Sequence, residues 1–380
     1  MSMFKKSLIG LAAAGSMAVS FSAMATNGIL PLGNGMVAHG FGGAGIANGA
    51  ETMSAVDNPA LANQVSNSWS AGISLFNPNR SINLGGGYTA SDNDFFFIPQ
   101  GGWLTKINDK MSWGVVAYAM GGMNTEYPAN TFGPGTPKVG IDLSGLIIAP
   151  TFSYKLNNDS SIGISLLYGY AKLATKGPAL SPPLPDTRSD SATGTGFKLG
   201  YAINMGATNI GVTYQTEISM DKMEKHCAYM FGSASDCSLN LPPQYGIGIT
   251  HKLSGNTKIV ADILQVNWSE VAVFKEIFEW EDQTILKFGM EFEADSNTAY
   301  RIGWNHGASP VPDNKVQTNA LAPAITEDHL TLGMTKKMGS GSEVSGYFAY
   351  VFENEQTDSG TGAKAKMDQF AIGVGYNVSF

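Results

Sequence analysis

The sequence predicts an all-β protein, an antiparallel transmembrane β-barrel of about 14 strands plugged by an N-terminal hatch. Three observations lead there. In the closing stretch 366–380, Phe370, Ile372, Val374, Tyr376, Val378 and Phe380 share one face, and Ala371, Gly373, Gly375, Asn377 and Ser379 share the other. That is period-2 alternation between two different solvents, sustained over the roughly 9–11 residues a tilted strand needs to cross a bilayer. Charged residues make up only 14% of the chain, against about 25% in soluble domains. Short and long connections alternate along the sequence, as they do between the two rims of a membrane barrel.

The first segment agrees with an exported barrel. Lys5 and Lys6 precede an apolar run from Leu8 to Phe21, followed by Ser22-Ala23-Met24-Ala25. This is the pattern of a signal peptide over 1–25, with the mature chain starting at Thr26. No later segment has the roughly 20 continuous apolar residues of a spanning helix. Without Lys5 and Lys6 the chain carries 21 basic and 31 acidic residues. That balance gives no support to nucleic-acid binding, which needs a basic surface.

Residues 26–68 show no strand-like alternation and are rich in glycine, which suits a compact plug with close backbone contacts. Gly40-x-Gly42-x-x-Gly45 matches a dinucleotide-binding spacing, but it follows no strand and opens no βαβ unit, so the motif lacks its context. Asp57-Asn58-Pro59-Ala60-Leu61 reads as a helix start, with Asn58 as N-cap and Pro59 at the first helical position.

The barrel is expected over 69–380. Trp69, Ala71, Ile73 and Leu75 share a face of its first strand, and similar alternation recurs, for instance at Ile162–Tyr170, Phe197–Ile203 and Leu286–Phe292. Short turns are expected at 108–110, 157–159, 205–207, 254–256, 295–297 and 339–341. Longer loops are expected near 78–94, 121–140, 172–192, 218–238, 268–282, 307–327 and 354–366. Six turns and seven loops imply an even fourteen strands, placing both termini in the periplasm of a Gram-negative cell.

Two strands depart from clean alternation. Phe95, Phe96, Phe97 and Ile98 are apolar on both faces, as are Val115, Val116, Ala117, Tyr118 and Met120. Inward apolar groups such as Phe96 and Tyr118 suit either a greasy ligand in the lumen or packing against the plug. The third strand then meets Gly121-Gly122, a tandem glycine of the kind that marks a kink. Cys227 and Cys237, the only cysteines, share one loop and in an oxidising compartment are expected to form a disulfide. In the chain-entropy model closing so short a loop contributes about 2–3 kcal/mol.

Several of these segments resemble FadL-type outer-membrane transporters of long-chain fatty acids and other hydrophobic compounds. Asn58-Pro59-Ala60-Leu61 followed by Trp69-Ser70-Ala71-Gly72 resembles the end of that family's hatch and its first strand. Trp113-Gly114 followed by Gly121, Thr125 and Glu126 resembles its third strand, and Leu241-Pro242-Pro243 the start of its eighth. Arg301-x-Gly303 with Ser309-Pro310-Val311-Pro312-Asp313-Asn314 resembles the eleventh strand and the loop after it. The terminal Phe380 is similar to the assembly signal of outer-membrane proteins, which implies the barrel assembly machinery as a partner. The similarity extends over nearly the whole mature chain.

The resemblance implies a passive uptake route: extracellular capture, a lumen site above the hatch, and sideways exit where the third strand is kinked. Mapped here, the hatch motif is Asn58, Pro59 and Ala60, and the lateral opening is Gly121 and Gly122. The capture groove falls in the loops near 172–192 and 218–238, where Met220, Met223, Met230 and Phe231 lie at helical spacing. Methionine suits promiscuous apolar surfaces, and the same spacing suits a loop helix packed on its neighbours. A fatty-acid carboxylate would want a lumen cation. Lys287 and Arg301 point inward by parity, and either could instead pair with Glu291 or Glu293. The expected partners are a fatty acid or hydrocarbon and the surrounding lipid and lipopolysaccharide, with the barrel a monomer.

Enzyme readings fare poorly. The five histidines are scattered with no metal-ligand spacing, and nothing ties a nucleophilic serine to His251, so no cofactor, metal or catalytic group is expected. A porin-like channel or a surface adhesin on the same barrel stands as the alternative function.

Overall fold

The structure, a computed structural model, describes residues 26–177, 188–227 and 237–380. Fourteen antiparallel strands close into one barrel. They are β1 (Ser68–Asn83), β2 (Phe96–Lys106), β3 (Met111–Ala119, resumed as Met123–Tyr127), β4 (Val139–Lys155) and β5 (Ser160–Lys176). β6 (Arg188–Met205), β7 (Thr208–Gln215), β8 (Gln244–Lys252), β9 (Thr257–Val266) and β10 (Gln283–Asp295) follow. β11 (Thr298–Gly307), β12 (Asp328–Gly339), β13 (Ser342–Thr357) and β14 (Lys364–Ser379) complete the wall. The seam is sealed by β1 and β14 from Ser68↔Ser379 to Asn83↔Lys364. Closure leaves no free sheet edge, which a bilayer would not tolerate.

Alternation decides which side each residue faces. On β14, Ile372, Val374 and Tyr376 point outward and are exposed while Ala371 is buried. On β5, Ile162, Ile164, Leu166, Tyr168 and Tyr170 form the outer face, and Ser161, Ser165 and Leu167 are buried inside. The six short turns fall where the sequence places them. Two of the loops are shorter than expected. β5 and β6 leave only 177–187 between them, and β13 and β14 leave 358–363. The extra rungs carry cross-strand ion pairs, Glu353–Lys366 and Glu355–Lys364, each at 2.9 Å, so polar sequence there continues the ladder.

Residues 26–67 fill the interior. A short helix, Met36–Gly40, lies against β12 and β13, and a 3-10 turn, Pro59–Asn63, lies against β4, β5 and β6. The helix start expected at Asn58 is present as this tighter turn: the Asn58 side chain accepts from the Ala60 amide, and Pro59 occupies its first position. The same Asn58 donates to the carbonyls of Ile46 (2.9 Å) and Tyr201 (3.0 Å), while Ala60 O accepts from Ser153 and Ser161. Such close docking requires glycine on the wall, since a Cβ on Gly200 would stand 2.0 Å from Asn58 Oδ1. The expected signal peptide, 1–25, lies outside the described residues.

Candidate ligand path

The wall is incomplete at one place. β2 and β3 pair from Lys106↔Ser112 only as far as Gly101↔Ala117. Beyond that, Phe96 to Gln100 pair with β1 alone, and β3 breaks at Met120-Gly121-Gly122 before resuming on β4. The two sides rejoin further out, where Asp92 N donates to Glu126 O at 2.7 Å and Glu126 N to Ser91 Oγ at 3.0 Å. A window of missing ladder bonds is thus framed by β2 and the broken β3. Gly121 holds φ +121°, a backbone state side chains rarely adopt. The N-terminal segment covers the window from inside: Gly122 N donates to Ile29 O at 3.0 Å, and Gly35 N to Gln100 Oε1 at 2.8 Å.

A cavity of about 80 Å³ lies behind this window, lined by Tyr118, Met120, Asp57, Lys198, Asp262 and Lys287 among others. On a scale where one water needs about 10–15 Å³, it has room for several waters but not for a whole acyl chain. Its charged groups hold the N-terminal segment. Lys287 Nζ donates to the carbonyls of Leu32 (3.0 Å) and Gly43 (3.2 Å), and Lys198 Nζ to that of Val56 (2.8 Å). Asp262 accepts from the amides of Gly45 (2.7 Å) and Ile46 (3.0 Å). Arg301 faces inward but lies off this cavity, bonded to Glu291 at 2.6 Å and stacked over Phe41. Lys258 also reaches Glu291, at 3.0 Å, whereas Glu293 is exposed.

Phe96 and Tyr118 are both buried on the inner face. Phe96 packs with Leu32, Met36 and Phe76, and Tyr118 belongs to the core that includes Ile29, Leu30 and Val56. The inward apolar groups therefore meet the plug, and each also borders a cavity. Phe96 lines a second one of about 20 Å³ with Arg80, Met123, Trp280 and Leu321.

On the N-terminal segment itself, Glu51 accepts from Val37 N at 2.7 Å, and burial raises its carboxyl to about 7. Burial lowers His39 to about 4, where it stacks on Tyr347 with ring centroids 4.2 Å apart. Asp57 accepts from Asn34 and is likewise raised by burial.

Met220 and Met223 are not displayed to solvent. Met220 sits in a two-residue strand, Ser219–Met220, and both it and Met223 are buried with Ile218, Leu239 and Leu241. Among the described residues of this loop Glu224–Cys227 is helical, and ahead of it Met223 N bonds Cys237 O and Lys222 bridges Ser238. Cys227 and Cys237 are joined as a disulfide with Cα atoms 5.0 Å apart. Met230 and Phe231 lie outside the described residues. Among the described residues no group of three or more His, Cys, Asp or Glu side chains is placed to hold a metal ion, and His251 bonds Thr208.

Sequence reading missed Lys198, Asp262 and Arg80. A signal was there for the first two: a charge between lipid-facing residues, Lys198 between Phe197 and Leu199 and Asp262 between Ala261 and Ile263, must face the lumen.

A closed barrel with an apolar outer face, a filled lumen and an unpaired window in its wall defines a plugged outer-membrane transport barrel. The chain belongs to the outer membrane protein transport protein family (OMPP1/FadL/TodX), whose model matches residues 32–380. It is 23% identical over 330 residues to a long-chain fatty acid transport protein of Escherichia coli, covering 68% of this chain and 74% of that protein. With the Salmonella typhi protein of the same name it is 23% identical, over 57% of this chain and 61% of that protein's length. The fold matches that of the Pseudomonas putida toluene transporter TodX (TM-score 0.72, 15% identity, 92% of this chain and 99% of that one). It also matches a Pseudomonas aeruginosa FadL homologue (TM-score 0.74, 13% identity, 93% and 100%).

Proposed function

We propose that this protein carries hydrophobic molecules, long-chain fatty acids first among them, passively across the outer membrane. The ligand is captured at the extracellular loops, enters the lumen above a hatch formed by residues 26–68, and leaves sideways at the broken third strand. The observation that carries this reading is the stretch of β2 without β3 partners, backed by the cavity that Tyr118 and Met120 line. A greasy ligand leaving there enters lipid directly, and apolar burial favours that step by roughly 25 cal/mol per Å². The names of the two curated relatives support fatty acids. A second reading, neutral hydrocarbons, is favoured by the internal partners that occupy Lys287 and Arg301, and the toluene transporter is a structural relative.

The test is uptake of labelled oleate and of labelled toluene by a host lacking its own transporter, with this protein or an empty vector. Oleate uptake above vector supports the first reading, and toluene uptake alone the second. No gain for either, with the barrel verified in the membrane, removes both and returns a porin or adhesin.

A further inference from the structure

We propose that Arg80 is the anion anchor of the path, a guanidinium that takes the carboxylate of an acidic amphiphile at the window. This deepens the uptake reading above and rests on it. Arg80 points inward from β1 and is only 7% exposed. Two of its nitrogens donate to the main-chain carbonyls of Asn93 and Asn124, and its side chain lies over the Phe96 ring, 5.7 Å from the centroid. Its Nε has no partner, and no Asp or Glu pairs with it among the described residues; Asp94 acts on it only through space. A buried cation compensated by carbonyl dipoles and a ring, with no carboxylate bonded to it, is an expensive arrangement. A ligand carboxylate would supply that bonded counter-charge and accept from Nε.

The surroundings fit that ligand class. Arg80 borders the cavity of about 20 Å³ whose other walls include Phe96, Met123, Trp280 and Leu321, one cation in an apolar enclosure. On the one-water scale of about 10–15 Å³, the space takes a headgroup oxygen and no more. The tail lies along Phe96 and Met123, the two sides of the window. The other lumen cations differ. Lys198 and Lys287 donate to backbone carbonyls of the N-terminal segment, and Arg301 pairs with Glu291. Arg80 also ties the Asn93 loop to the resumed half of β3, so a bound carboxylate would draw on the group that spans the window.

The experiment uses the purified mature barrel in a non-ionic detergent with cis-parinaric acid and its methyl ester, read by energy transfer from tryptophan, Trp280 included. Wild type is expected to bind the acid about tenfold more tightly than the ester, as a charge-assisted bond implies. Arg80→Met should bring the ratio to one. Arg80→Lys, which keeps the charge without the fork, should retain part of it. The ratio is insensitive to general loosening, which weakens both ligands alike. Equal binding of acid and ester by wild type, or an unchanged ratio in Arg80→Met, overturns the anchor while leaving hydrophobic uptake standing. Binding of neither ligand, together with no uptake in cells, overturns the uptake reading as well.

Discussion

The amide of Gly122 donates to the carbonyl of Ile29 at 3.0 Å, so the glycine half of the break in the third strand is bonded to the N-terminal segment, while Met120 N still donates to Gly145 O of β4 at 3.1 Å. The gap in the wall and the plug behind it are therefore one structural unit. Whatever displaces Ile29 also frees the glycine pair, and whatever crowds the glycines pushes on Ile29.

Gly121 is the sensitive half of the pair. A Cβ there would fall 2.5 Å from Ile29 O, and the +121° φ already excludes most side chains. Replacing Gly121 and Gly122 together by Val should bring uptake to the vector level. The barrel, held by thirteen other strands, should still show the heat-dependent gel mobility of a folded membrane barrel. Wild-type uptake by a correctly assembled double variant would sink the lateral route.

The barrel was legible from sequence because each outward face repeats every second residue, and because turn length alternates with the rims. Asn58 was legible because an Asn-Pro pair has a specific use at a helix start. The occupancy of Lys287 was not. Parity turns Lys287 and Arg301 inward and offers Glu291 among the carboxylate partners, which Arg301 takes; nothing local says that carbonyls of Leu32 and Gly43, more than 240 residues away, await Lys287. The methionine spacing suited either a displayed apolar surface or packing on neighbours, and Met220 and Met223 are packed, with Met223 N held by Cys237 O in a short, cross-linked loop.

Lys287→Met tests the structural role of that cation. Its loss leaves the carbonyls of Leu32 and Gly43 without their donor, takes the nearby positive charge from the buried Asp262, and leaves Asp57 with Lys198 alone. Removing one member of such a set costs about 3–5 kcal/mol. Residues 32–57 should exchange amide hydrogens faster, with the acid-to-ester binding ratio unchanged. A lower ratio with normal exchange would return Lys287 to the ligand site.

Asn58→Ala removes the cap on Ala60 and two bonds into the segment and wall, leaving buried carbonyls at Ile46 and Tyr201 without this donor. The cost should be about 2–4 kcal/mol, borne by the segment and not by the barrel. Proteolysis within 26–67 should accelerate, and small polar antibiotics should enter cells more readily. Resistance to both would mean that the 3-10 turn is held by its contacts with β4 to β6 alone.

Glu51 makes the hold of the N-terminal segment depend on pH. Its carboxyl is raised from 4.5 to about 7 by burial, against the pull of the Val37 amide and of Arg301, with Glu343 and Asp57 adding to the rise. The docked segment thus binds a proton that the released segment gives up, so docking is favoured below pH 4.5 and loses free energy as pH climbs through 7. The span corresponds to about 3 kcal/mol. Asp57, also raised, acts in the same direction, while His39, lowered to about 4, acts in the opposite one. The difference between wild type and Glu51→Gln isolates the residue from both. Measured by hydrogen exchange across residues 36–57, that difference should move in favour of the variant by about 3 kcal/mol between pH 4.5 and 7. A constant difference would mean that Glu51 keeps one protonation state, docked or released, and that its bond to Val37 is the whole of its contribution.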